Sequence, residues 1–184
     1  MLPTFITVIV IAAVIVLWII STQRKLVVLD ENISNAMSQI GVQLSSRFDA
    51  LTALLDSTKG YARHESETLI ETIKSRRSMI TAKSTPDDVL CQERVISETL
   101  SRLAMVTEQH PELKENQTFI KTMDAVQIFE NMVRTSRLIY NDSVMKLNRE
   151  IRLFPISMIA VMLGFHQKEY LEEQESRALK HTYL

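Results

Sequence analysis

The chain has 184 residues, 46% of them hydrophobic and 23% charged, with a formal net charge of -1, three Gly, four Pro and one Cys. That length permits one ordinary domain; 21 basic against 22 acidic residues leave no positive excess to hold phosphates, which excludes a dedicated nucleic-acid binder; and a lone Cys91 excludes an internal disulfide. So few Gly and Pro cannot punctuate the many tight turns of a sheet fold, so the expected fold class is all-α: an N-terminal transmembrane helix followed by an antiparallel bundle of long helices.

No ionisable side chain precedes Arg24, and Phe5 to Ile20 is apolar apart from Thr7. A helix over residues 2–20 is about 28 Å long, close to the hydrocarbon core of a bilayer at roughly 30 Å, so membrane lipid is the expected partner of this segment. Pro3 falls in the first turn, where its missing N–H costs little, and Trp18 falls near the opposite interface. The basic residues Arg24 and Lys25 follow the apolar run instead of preceding it. This predicts an uncleaved single-pass anchor in the cell membrane, with the C-terminal domain on the cytoplasmic side. The expected domains are an anchor at 1–25, a helical bundle at 26–165 and a polar C-terminal tail at 166–184.

Leu26, Leu29, Ile33, Met37, Ile40, Leu44, Phe48, Leu51 and Leu55 step by three and four, as one helical stripe does. The pattern continues less cleanly through Tyr61 or Ala62, Leu69 and Ile73 towards Lys83, with a bend expected at Gly60. Unbroken, this helix would be a stalk of about 87 Å. Thr85-Pro86-Asp87-Asp88 is the clearest boundary, combining a capping hydroxyl, a proline suited to the first turn and two acids that complement the helix dipole. The second helix carries Val89, Ile96, Leu100, Leu103 and Val106 and stops at His110-Pro111.

A third helix, from near Glu115 to Pro155, carries Phe119, Met123, Val126, Phe129, Val133, Tyr140, Val144, Leu147, Ile151 and Phe154, and its stripe fails only at Arg137. Ser157 is the expected cap of a short segment from Met158 to Leu163, closed by Gly164. Helix lengths predict that the third helix overshoots the tip of the first, with residues 156–165 folding back to cover the exposed end. The charged residues beyond Phe165 predict a helical, frayed tail. Val42, Leu54, Ile70, Ile80, Ile120, Ile128, Met132 and Ile139 widen the stripes and are expected in the bundle core, the alternative being an exposed partner groove.

Catalytic and metal chemistry find no support in these residues. His64-Glu65 lacks the second His at i+4 that a metalloprotease helix needs, since Thr68 stands there. The residues three before His64, His110, His166 and His181 are Tyr61, Thr107, Leu163 and Ala178, so the Glu-x-x-His pairs of di-iron bundles are missing. Cys91 has acids and no base one turn back, which predicts an inert, half-buried thiol. No catalytic residue, cofactor or metal ligand is assigned, and the protein is expected not to be an enzyme. Tyr140 lies on the apolar stripe while Asn141 and Asp142 lie off it, so these three either make a specificity contact within the core or meet a partner.

Ala36-Met37-Ser38-Gln39-Ile40-Gly41-Val42-Gln43-Leu44 resembles the first-helix signature of the LemA family of bacterial membrane-anchored helical proteins. Lys59-Gly60-Tyr61-Ala62, Pro111-Glu112-Leu113-Lys114, and Tyr140-Asn141-Asp142 with Phe154-Pro155 and Gly164-Phe165 follow in the family's order. The chain departs from the family in having Met37 where Trp is usual, Gly41 where an acid is usual and Thr52 where Pro is usual. The resemblance implies an N-terminal membrane helix, an antiparallel bundle and no defined catalytic residues. It also implies a setting beside membrane metalloproteases.

The expected function is therefore a scaffold or adaptor that docks a protein partner, with a membrane protease as the candidate. Tyr140, Asn141, Asp142, Phe154, Pro155, Gly164 and Phe165 are the candidate partner contacts. The alternative is a membrane-linked sensor whose long first helix transmits a change through Gly41 and Gly60. Stripes this long can also pair between chains in a homo-oligomer.

Overall fold

The computed structural model describes residues 2–171, and all of its regular elements are helices. Helix α1 runs Leu2–Thr58, α2 Arg63–Arg76, α3 Pro86–Gln109, α4 Gln117–Glu150 and α5 Ile156–Met162, with a 3-10 turn at Pro111–Glu115. From Thr4 to Ser21 the side chains of α1 are exposed, and this stretch has a mean hydropathy of 2.8. This is one helix long and apolar enough to cross a membrane. Thr22 is its first buried residue.

Beyond Thr22, α1 continues without a break into the bundle. Its inner stripe of Leu26, Ile33, Met37, Ile40, Leu44, Phe48, Leu51 and Leu55 is buried against Phe119, Val126, Val133, Tyr140, Val144 and Leu147 of α4. The two helices are antiparallel, since Lys25 pairs with Glu150 at 2.8 Å and Arg47 with Glu130 at 2.8 Å. Each fully buried Leu in this seam contributes about 1.5–3 kcal/mol relative to exposure, so the α1–α4 pair is the backbone of the fold.

The long stalk does not form. The chain reverses at residues 59–62, and α2 packs back along α1, with Arg77 reaching Asp49 at 2.6 Å. The corner is closed by hydroxyls: Thr58 Oγ1 lies 2.7 Å from Ser66 Oγ, and Ser66 donates to the Ala62 carbonyl at 2.6 Å. Ala62, Leu69, Ile70 and Ile73 fill the space that a solitary stalk would leave wet. The predicted first helix is thus two antiparallel helices, and the bundle has four main helices in up-down order.

α3 begins where expected. Thr85 accepts from the Asp88 N–H at 3.2 Å, and Asp88 accepts in return from the Thr85 N–H at 2.8 Å, the reciprocal capping box of an acid at the third position. The Thr85 bonds hold the Asp88 carboxyl below the ordinary carboxylate range. His110-Pro111 ends α3 as expected, but the chain then makes a 3-10 turn, and Asn116 caps α4 by accepting from the Thr118 and Phe119 N–H groups.

α4 stops at Glu150, ahead of Pro155, because residues 151–153 tighten into i→i−3 and i→i−4 turns and Pro155 disfavours helical backbone before it. Phe154, placed on the buried stripe by periodicity, is consequently 80% exposed. The short helix starts at Ile156 with no side-chain cap, so Ser157 does not cap it, while Gly164 takes the positive φ of 78° that closes it. Since α1 turns over at Thr58, its bundle portion and α4 have nearly equal lengths and no overhang arises. Residues 156–165 fold back as expected, but at the end where α1 leaves its apolar run. Phe165–Leu171 is not helical, contrary to the tail expectation; the remaining tail residues lie outside those described.

Candidate functional site

After Gly164 the chain turns and runs back along α4 as an extended strap. Three α4 side chains hold it, the adjacent Tyr140 and Asn141 and, two turns further on, Asn148. Asn148 donates to the Lys168 carbonyl and accepts from its N–H, each at 2.9 Å. Asn141 does the same to Leu171, at 3.0 and 2.8 Å. Tyr140 donates its hydroxyl to the Glu169 carbonyl at 3.0 Å. Burial first, and the Glu169 carboxylate second, push the Tyr140 phenol up from its ordinary value, which keeps the proton it donates. Lys168 also pairs with Asp30 of α1 at 3.0 Å, and Leu171 is buried in the core.

The seven candidate contact residues do not form one surface. Tyr140 and Asn141 are engaged by the strap, the former 4% exposed. Asp142 faces solvent and pairs with Lys146 at 2.6 Å. Phe154 and Pro155 stand exposed at the α4–α5 corner, beyond Glu150, which lies about 15 Å along the axis from Tyr140. Gly164 closes α5, and Phe165 is half-buried against the core.

The residues that widen the stripes divide. Leu54, Ile70 and Ile80 are buried, whereas Val42, Ile120, Ile128, Met132 and Ile139 are exposed, which corrects the expectation that all of them belong to the core. Ile128, Met132 and Ile139 fall within about 40° of one another around α4 and make an apolar stripe on its outer side, because no further helix packs there.

Charge lies where the sequence reading missed it. Arg137 donates to both Glu93 oxygens, at 3.0 and 3.2 Å, tying α4 to α3, and Arg47 of α1 reaches Glu130 of α4 at 2.8 Å. Burial pushes the Glu93 carboxyl above its ordinary value, against the pull of Arg137 and Arg47, and burial likewise lowers the Arg47 pKa. Arg47 Nε, also buried, has no hydrogen-bond partner. The signal was visible as the one failed step of the apolar stripe at 137, which turns Arg137 inward and leaves its neighbour Leu138 66% exposed.

Gly41 lies within α1, facing the loop that follows α2. A Cβ on it would press against the Ile80 carbonyl group, 2.9 Å from the carbonyl carbon, so glycine here allows the 77–83 loop to lie on α1. Gly60 lies in the α1–α2 turn with open space around it. Cys91 is exposed, not half-buried. Among the described residues no three His, Cys, Asp or Glu side chains converge as metal ligands.

An apolar stem continuous with one helix of an antiparallel bundle, strapped by its own C-terminal segment, defines a helical stem-and-bundle protein. The LemA family model matches residues 36–182, most of the chain, and the protein belongs to that family. It is also similar to the magnetosome proteins MamQ 1 and MamQ 2 of Paramagnetospirillum magneticum (strain ATCC 700264 / AMB-1), each 32% identical over 75 residues. That stretch is 41% of this chain and 28% of each relative, so the chain matches little more than a quarter of their length.

Proposed function

We propose that this LemA-family protein is a non-enzymatic, single-pass membrane scaffold that holds its bundle in the cytoplasm and offers the outer face of α4 to a protein partner. The observation that carries this reading is the stripe of Ile128, Met132 and Ile139, 43–53% exposed on a helix whose inner face is already filled. A membrane-embedded partner, a quality-control protease among them, meets this stripe at the raised local concentration that anchoring provides. The likeness to magnetosome proteins supports a shared helical stretch, not a shared assembly.

Photo-crosslinking probes at Ile128, Met132 and Ile139 in native membranes test the reading. Capture of a membrane protein that is lost on Met132→Asp supports it; self-crosslinks alone replace it with a homo-oligomeric scaffold; no crosslink at any of the three removes it. Orientation follows from Arg24 and Lys25 and is read from exposed Cys91: an impermeant maleimide should label it only after cells are permeabilised.

The continuity of α1 from Leu2 to Thr58 favours a second reading, a sensor in which α1 carries a change from membrane to bundle. Two glycines inserted after Lys25 should uncouple a sensor's output while leaving a scaffold's partner capture intact.

A further inference from the structure

The membrane-proximal end of the bundle carries a second apolar surface that the α4 stripe does not explain. The Lys25–Glu150 pair sets the end of α4 level with the point where α1 leaves its apolar run, five residues or about 7.5 Å beyond Ile20. The turn after Glu150 and α5 therefore lie at or below that level, and α5 packs on α1. Thr22 and Leu26 are 7% and 0% exposed there, although every described side chain of α1 before Thr22 is exposed.

One side of the 153–163 segment seats Ala160 and Ile156 against the core. The other turns Phe154, Met158, Val161 and Met162 outward at 63–85% exposure. Together they form a contiguous apolar patch of the kind that marks an interaction site, and a headgroup layer about 5–8 Å thick covers this level of α1. Arg149 and Arg152, just before the segment, and Arg24, beside Lys25 on α1, are exposed and, among the described residues, form no ion pair with a carboxylate.

We propose that residues 153–163 form a second membrane contact, a foot whose Phe154, Val161 and Met162 enter the headgroup–acyl boundary of the leaflet that α1 leaves, while the three arginines face anionic phospholipid. This rests on α1 spanning the bilayer. Continuity with that span, the depth set by the Lys25–Glu150 register and the basic rim select lipid as the occupant over a second chain or a soluble partner. Seven helical residues would bind a membrane weakly alone, but α1 already holds them at the surface, so no independent affinity is needed. With α1, the foot gives the bundle two points of support and fixes its rotation about the α1 axis, which determines where the α4 stripe faces.

The test uses the full chain carrying Cys91→Ser, with single cysteines at Val161, Met162 and, as references, Ile15 and Met79, each labelled with an environment-sensitive fluorophore. The protein is reconstituted in phosphatidylcholine–phosphatidylglycerol vesicles containing lipids that bear a quencher at shallow or deep positions. The expected result is a blue shift and shallow-quencher loss at Val161 and Met162, deep-quencher loss at Ile15, and response at Met79 only to aqueous iodide. Iodide quenching at Val161 and Met162, or protection from both kinds of quencher as a protein contact gives, overturns the foot while leaving the anchor standing. Absence of lipid quenching at Ile15 overturns the anchor and the foot together. Arg149→Glu with Arg152→Glu should weaken the shallow quenching in anionic vesicles and leave it unchanged in pure phosphatidylcholine; equal loss in both points to misfolding of the corner and counts against the lipid rim.

Discussion

Asn148 and Lys168 exchange two hydrogen bonds of 2.9 Å, the α4 side chain amide serving the backbone of the strap as a neighbouring β-strand would. The strap has no sheet to join, so without Asn148 both backbone groups would be left to compete for water at a site where Asn148 is only 8% exposed.

Asn148→Ala should therefore cost about 1–3 kcal/mol in urea unfolding and speed amide exchange across residues 166–171 before it affects α1. Unchanged exchange in the strap would show that Asn141 and Tyr140 hold it alone.

Arg137→Ala strands the half-buried Glu93 carboxylate and should destabilise the protein by about 1–3 kcal/mol near neutral pH. The Glu93 value is raised on folding, so the stability linked to its neutral form is complete below the ordinary carboxylate range and is lost as pH rises through the folded value. Glu93→Gln stays neutral and escapes that loss. Its unfolding free energy relative to wild type should consequently increase with pH across that window, measured by urea titrations at a series of pH values.

Gly41→Ala should destabilise by about 1–3 kcal/mol, because the added methyl meets the Ile80 backbone and not a movable side chain. Gly60→Ala should change stability by less than about 0.5 kcal/mol, as nothing lies within 4 Å of the new atom. Thermal unfolding of the two variants separates these outcomes; helix propensity alone would have stabilised Gly41→Ala.

Two leucines on α4 give a control for the packing argument. Leu147→Ala, at 0% exposure, should cost about 2–5 kcal/mol, while Leu138→Ala, at 66% exposure, should stay within about 0.5 kcal/mol. Similar losses at both would mean that the outer side of α4 is covered in the isolated protein.

Thr85→Ala removes the acceptor for the Asp88 N–H and should cost about 1 kcal/mol, with faster amide exchange confined to the first turn of α3.

Features that depend on neighbours three or four residues apart are legible along the chain: the apolar stem before Arg24, the buried stripe from Leu26 to Leu55, the capped start at Thr85-Pro86 and the stop at His110-Pro111. Local periodicity and capping chemistry fix these, and the tertiary structure had no reason to override them. The reversal at 59–62 is set by packing between helices, because a single stripe reads the same whether it continues outward or doubles back, and the choice is made by burying Leu69, Ile70 and Ile73 on α1. Packing also decided which widened positions face out, since α4 lacks a neighbour on the side of Ile128 and Met132, and it turned Tyr140 and Asn141 towards the chain's own strap. Contacts between residues 20 to 44 positions apart, such as Asn148 with Lys168 and Arg137 with Glu93, leave no periodic trace in a sequence, because they are set by how whole helices align.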